Sequence, residues 1–332
     1  MNNIFLVGLI SIFFFGCNQN NSNPTCNLST WTQIAGCGQL ASNSTFIFFN
    51  KGTNLYRSSD LGNSVISVYS GLVTKIKQED PNGYYYDTLI QVIQCNGNDL
   101  IAAINPDQPN TQDLPAKFYK SSDNGITWQR CWSSNSIKGI RIITFIQNKI
   151  FTISSGGTSS VSSDNGISWS SPFDGNVQYG AIAHGEVIFD GSKYLFECGG
   201  AIYGSSNNGL SFQYIGGIGG ISSKIIIVGS MLYAIEGGVP DGTIKKSSDG
   251  GVTWSTVGQN GMNLKYAPQQ FFDIYYSSNT LYVSATGRVF KSTDLGNTWS
   301  QLGCDLPNDQ WAVGLFEKGG LMLSGNCYRI VI

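Results

Sequence analysis

The sequence predicts an all-β fold, a seven-bladed β-propeller of four-stranded antiparallel blades, with a six-bladed ring as the alternative. Three observations predict it. The stretch Ser247-Ser248-Asp249-Gly250-Gly251-Val252-Thr253-Trp254 recurs almost letter for letter at Ser122–Trp128, Ser163–Trp169 and Thr293–Trp299. Counting two worn copies, its key positions Asp60, Asp123, Asp164, Asn207, Asp249 and Asp294 lie 63, 41, 43, 42 and 45 residues apart. Such a period belongs to repeat architectures. The composition agrees: 41 glycines in 332 residues and 12% aromatics suit many tight turns between short strands. No stretch of helical periodicity is long enough for a helix outside the N-terminal leader. Finally, the two ends of the chain each carry an incomplete set of strands.

The repeated stretch reads as a turn. Its aspartate accepts hydrogen bonds from backbone a few residues on, and its glycine supplies the positive φ that other residues resist. Trp128, Trp169, Trp254 and Trp299 then open the outgoing strand, each with a large apolar face to pack between neighbouring sheets. Of the worn copies, Ser59–Val65 lacks the Trp, and Ser206–Phe212 has Asn207 for Asp and Phe212 for Trp. The cassette resembles the Asp-box (BNR) repeat, S-x-D-x-G-x-T-W, of sialidases and many unrelated propellers. That resemblance implies a turn between the third and fourth strands of each blade, on the side away from the ligand face. It also implies that the aspartates are structural and neither catalytic nor metal-binding. The propellers of this kind that help to assemble photosystem complexes share the seven-blade count, a likeness of fold alone.

Strands can be cut blade by blade. Ile140–Ile146, Lys149–Ser154 and Ser159–Ser162, with a strand opening at Trp169, make one blade. Ser222–Gly229, Met231–Glu236 and Gly242–Lys246 with Trp254 make another, and Phe271–Tyr276, Thr280–Ala285 and Arg288–Lys291 with Trp299 a third. Beyond Trp299, Trp311–Glu317, Gly320–Ser324 and Tyr328–Ile332 supply three strands and the chain stops. Ser29–Gln33 looks like the strand that follows a cassette, with no cassette before it. Joining the two ends in one blade leaves no sheet edge open and gives seven blades.

Ile4–Phe15 is an apolar run of signal-peptide length, too short to span a bilayer. It ends at Phe14-Phe15-Gly16-Cys17, which resembles a bacterial lipoprotein cleavage box. The resemblance implies a signal peptide over 1–16, lipidation of Cys17 and a tether over 17–28 rich in Asn and Ser, followed by the propeller over 29–332. Export to the periplasm, outer membrane or cell surface follows, with plain secretion and an uncleaved anchor as the alternatives. Without Cys17 seven cysteines remain, an odd number that suggests disulfides plus at least one thiol. Cys37 follows the Trp31 strand and Cys327 precedes its proposed neighbour, so a Cys37–Cys327 disulfide is predicted, with Cys304 the rival partner.

A net charge of −2 leaves no electrostatic footprint for nucleic acid. About twenty extra residues between Asp60 and Asp123 fall in 70–87 and 105–117, which strand alternation brings to the face opposite the cassettes. Long loops on a rigid scaffold commonly carry binding. Tyr84, Tyr85 and Tyr86 are placed there either to stack on a ligand or to begin the inner strand. Sialidase chemistry needs an arginine cluster, yet only five arginines exist and the family's F-R-I-P signature is absent; Arg141, Arg288 and Arg329 alone can approach the ligand face. Asp87, Glu236, Asp273 and Asp305 are the carboxylates that strand position brings to that face, where a glycosidase needs a pair. His184 is the only histidine, and no C-x-x-C occurs, so neither metal nor cofactor is implied. The expectation is a monomeric, exported propeller that binds a glycan or an extracytoplasmic protein without chemistry; the alternative is a divergent sialidase-like hydrolase.

Overall fold

A computed structural model describes residues 29–332 except 36–39, 52–53, 69–71, 73–74, 77–85, 107–114, 139, 155–157, 171–182, 238–241, 265–269, 308–311, 313 and 325–327. The strands form seven antiparallel sheets, which are the blades. Blade 7 opens with β1 (Thr32–Gln33), and blade 1 follows as β2 (Leu40–Ser42), β3 (Ile47–Lys51), β4 (Asn54–Ser58) and β5 (Ile66–Ser67). Blade 2 has five strands, β6 (Lys75–Ile76), β7 (Tyr86–Asn96), β8 (Asp99–Pro106), β9 (Pro115–Ser121) and β10 (Gln129–Lys138). Blade 3 is β11 (Ile140–Ile146), β12 (Lys149–Ser154) and β13 (Ser159–Ser162). Blade 4 is β14 (Ala183–Phe189), β15 (Tyr194–Cys198), β16 (Ala201–Ser205) and β17 (Gln213–Gly217). Blade 5 is β18 (Ile221–Val228), β19 (Met231–Gly237), β20 (Thr243–Ser247) and β21 (Ser255–Thr256). Blade 6 is β22 (Phe271–Ser277), β23 (Thr280–Ala285), β24 (Arg288–Ser292) and β25 (Ser300–Gln301). Finally β26 (Phe316–Lys318), β27 (Leu321–Ser324) and β28 (Tyr328–Val331) complete blade 7 by pairing with β1, Thr32 opposite Arg329 and Gln33 opposite Tyr328.

Closure by the two termini thus agrees with the sequence, and three details differ from it. The insertion before Asp123 is not all loop: it lengthens β7 to 11 residues and β8 to 8, and adds β6 beside β7. Pro115 sits at the first position of β9, where a missing N–H is tolerated. In blade 3 the described residues after Trp169 form no strand; there Ser170 N–H donates to Val161 O at 2.8 Å. In blade 7 the inner strand is Phe316–Lys318, shorter than the predicted Trp311–Glu317.

Seven apolar clusters fill the ring, one in each gap between adjacent blades. The aromatic residue after each turn is the wedge. Trp128 packs among Phe48, Leu55 and Val68 of blade 1, and Trp299 among Val257 and Phe271. Phe212 packs against Phe196, Trp31 beside Leu302 and Tyr328, and half-buried Trp169 and Trp254 occupy two further gaps. Where the worn first copy has Val65, the gap between blades 7 and 1 holds Phe49, Leu323 and Phe316 instead.

The turns share one hydrogen-bond pattern. In blade 5 Ser247 Oγ donates to Asp249 Oδ1 at 2.8 Å, while Gly251 N–H donates to Ser247 Oγ at 2.9 Å. Thr253 gives its N–H to Oδ1 at 2.9 Å and its hydroxyl to Oδ2 at 2.5 Å, so both carboxylate oxygens are used inside the turn. Two successive residues take positive φ, as at Asn208 (64°) and Gly209 (83°). A Cβ at Gly209 would also fall 2.0 Å from Phe151 Cε1, so glycine is required there twice over.

These bonds set a pH dependence. The hydroxyl and N–H four residues on hold Asp60, Asp164, Asp249 and Asp294 down at about 2. Asp123 is lowered as well: partial burial opposes the shift, and its bonds from Thr127 and Ser121 prevail. A carboxylate depressed in the fold stabilises it above the unfolded pKa of about 3.9 and loses that contribution as pH falls through the folded value. The urea midpoint is therefore expected to stay level from neutral pH to about pH 5 and to drop steeply towards pH 2. Asp249→Asn, which copies the natural Asn207, is expected to flatten that acid limb; an unchanged midpoint from pH 5 to 2 in the parent protein would refute the assignment.

Candidate functional site in the central channel

Alternation of strands puts the first-to-second and third-to-fourth strand turns at one end of the ring, here the turn rim. Cross-blade bonds agree: Asn43 Nδ2, between β2 and β3, donates to Gly97 O (2.8 Å) and Asn124 Oδ1 (2.7 Å). Lys149 Nζ, between β11 and β12, donates to Asn208 Oδ1 at 3.0 Å. The opposite end, here the loop face, receives the remaining connections, including those lengthened in blade 2.

The inner strands surround a cavity of about 360 Å³, to which six of the seven blades contribute. Its wall combines Ser42, Gln94, Glu186, Lys224, Tyr275 and Phe316 with neighbouring apolar side chains. Lys224 Nζ lies 3.1 Å from Asp273 Oδ1 across the gap between blades 5 and 6. Asp273 is 4% exposed and accepts two further bonds, from Ile274 N–H (2.8 Å) and from Leu315 N–H (2.6 Å). One carboxylate thus joins the inner walls of three successive blades. Burial alone would lower the Lys224 pKa, but the negative charges of Asp273 and then Glu186 outweigh it and raise the value above 10.5. The ammonium also lies 6.0 Å from the Tyr275 ring centre. Glu186 is exposed in the channel and accepts a bond from Gln94 Nε2 at 3.1 Å.

The structure does not bring together the acids that the sequence placed at one face. Glu236 pairs with Lys245 at 3.1 Å and accepts the Thr243 hydroxyl at 2.6 Å within blade 5. Asp305 takes Arg288 Nε at 2.7 Å and Nη2 at 3.2 Å, and Gln301 Nε2 at 3.0 Å, within blade 6. Neither lines the channel cavity. Asp87 lies in β7 opposite Lys75, and Arg141 in β11 at a register shift. Tyr86 opens β7 opposite Ile76, the strand-forming alternative for the tyrosine run. Tyr84, Tyr85, Cys17, Cys37 and Cys327 lie outside the described residues.

Sequence reasoning missed Gln94, Glu186 and Lys224. Their signal is a polar residue set into an inner-strand apolar run, as in Lys224-Ile225-Ile226-Ile227 and Glu186-Val187-Ile188. Cys304 is disulfide-bonded, whereas Cys95, Cys131 and Cys198 are thiols. Burial pushes the Cys95 thiol up to about 12 and the Cys198 thiol up to about 11, which keeps both protonated at neutral pH. Among the described residues, no three of His, Cys, Asp and Glu are grouped to hold a metal ion.

No protein-family model matches the sequence, and neither does any curated protein. Solved structures do. A structure described as YCF48 bound to D1 peptide superposes with a TM-score of 0.64 at 14% identity, over 94% of this chain and 100% of that one. A chain of the mitotic checkpoint complex gives 0.62 at 8% identity, over 99% of each. A GH74 enzyme of Niastella koreensis gives 0.56 at 16% identity, over 82% of this chain and 46% of that one. At these identities what is shared is the fold: the chain is a seven-bladed β-propeller.

Proposed function

We propose that this chain is an exported, lipid-anchored propeller that binds an extracytoplasmic polypeptide in its central channel and performs no chemistry there. The observation that carries the reading is the channel wall, where charged, amide and aromatic side chains from different blades converge on one cavity. Asp273, buried behind the wall, neutralises Lys224 and leaves the Glu186 carboxylate as the net charge facing the cavity, so the site favours a segment bearing a basic side chain. Structures of the same fold in complex with a D1 peptide and within the mitotic checkpoint complex support a polypeptide ligand. The non-catalytic part is supported by the acids already committed to ion pairs. Glycoside hydrolysis takes two carboxylates, and Glu186 alone among the described lining residues presents one. A glycan is the second reading, favoured by Tyr275 and Tyr276 in the wall, whose rings can stack on a sugar.

Peptide and glycan arrays probed with the purified lipidated protein test this. Basic peptides are expected to bind, and Glu186→Gln to weaken them about tenfold, the effect of about 1.4 kcal/mol. Binding confined to the glycan array would replace the polypeptide reading with the second one, and silence on both arrays would refute both. Turnover of any aryl glycoside by the same preparation would overturn the non-catalytic part.

A further inference from the structure

Eight large apolar side chains stand strongly exposed among the described residues, and seven of them mark one end of the ring. Ile126 (51%), Ile167 (80%), Leu210 (55%), Val252 (52%) and Leu295 (46%) occupy the turns of blades 2 to 6. Ile66 (59%) opens the outer strand of blade 1 just after its turn, and Val331 (66%) ends the third strand of blade 7 where a turn would begin. Each blade therefore contributes one aliphatic residue to the turn rim. The turn itself does not require this, because its bonds come from the serine, aspartate, glycine and threonine positions. Singly such residues are ordinary surface; what distinguishes these seven is that they share one end of the ring, where a flat apolar partner would meet all of them at once.

Where the chain enters the ring identifies the occupant. β1 runs antiparallel to β28 and so starts at the turn rim, the position of every fourth strand. The tail that precedes it therefore joins the domain beside these seven residues. Residues 17–28 reach at most about 40 Å even fully extended. A lipid on Cys17 would hold this end, and not the loop face, against the bilayer. Tethering converts weak docking into an intramolecular event, so shallow insertion of a few aliphatic tips suffices. The rim is not uncharged, because its turns carry the ionised Asp60, Asp123, Asp164, Asp249 and Asp294, but their oxygens are bonded inside the turns and a zwitterionic bilayer presents no net charge to repel them.

We infer that the turn rim is a membrane-docking surface: its aliphatic ring inserts into the acyl-chain boundary of the bilayer that holds the lipid, and the loop face points away from the membrane. The inference rests on the lipid-anchored part of the reading above. The test uses full-length lipidated protein in phosphatidylcholine vesicles that contain acyl-chain-brominated lipid. Ile167→Trp adds a fluorophore at the most exposed rim position, and Asn263→Trp adds one at an exposed site whose carbonyl accepts a bond from Arg288, at the loop-face end of β24.

At least half of the emission added at 167 is expected to be quenched, equally in low and high salt, and that added at 263 left unquenched. Floating protein whose residue 167 stays unquenched and open to aqueous iodide would leave the anchor standing and overturn the docking. Emission at 167 shielded from iodide yet unquenched by the brominated lipid would mean that protein covers the rim, and would also overturn it. Protein that neither floats nor carries the mass of a lipid would remove anchor and docking together.

Discussion

Trp128→Ala is expected to destabilise the ring by about 4 kcal/mol, the range for emptying a large aromatic site in a packed core. Trp128 is 5% exposed and fills the gap between blades 1 and 2 against Phe48, Leu55, Val68 and Tyr119. Its indole N–H also donates to Val68 O at 2.8 Å and to Gly125 O at 3.0 Å, tying one blade to the turn of the next. Alanine removes the wedge and both bonds at once. Urea unfolding checks this through a lowered midpoint with an unchanged slope, the signature of lost stability in a cooperative transition. Half-buried Trp169 provides the comparison, and its alanine variant is expected to lose less. Equal losses at the two positions would show that the gaps relax alike and that burial does not set the effect.

Asp273→Ala is expected to lose about 3 kcal/mol, because it leaves Lys224 without its partner and two buried N–H groups without an acceptor. A cycle with Lys224→Met should show strong coupling: the double variant is expected to lose clearly less than the sum of the single ones. Additivity would mean that the pair contributes nothing through its contact. The pair also has a pH signature. A lysine whose pKa is raised in the fold stabilises it fully below the unfolded value and loses that contribution as pH rises through the folded one. The parent protein should therefore lose this contribution only above about pH 10.5, and Lys224→Met should remove that alkaline limb.

Blade architecture was legible because the information is local. A turn that needs serine, aspartate, glycine and an aromatic at fixed offsets writes itself into the sequence, and the apolar stretches between turns then have room for only three strands. The cuts at Ile140–Ile146, Lys149–Ser154 and Ser159–Ser162 coincide with β11, β12 and β13. β6 escaped notice because two residues, Lys75 and Ile76, carry no periodicity of their own. The channel escaped for a different reason. Gln94, Glu186, Lys224 and Asp273 are single residues on four separate blades, and only closure of the ring makes them neighbours. Glu236 and Asp305 were legible as acids near one face, but their partners Lys245 and Arg288 follow from strand register, which a lone sequence does not display.

The joint of β1 with β28 has a consequence for biogenesis. A chain delivered from its N-terminus keeps its first strand waiting until β28 arrives, since Thr32 and Gln33 pair with that strand. A premature stop or proteolytic cut before β28 would strip the seam and leave two raw strand borders facing each other. Completion of the rotor thus waits on β28, and quality control that recognises unpaired β-edges would single out every product cut short before it.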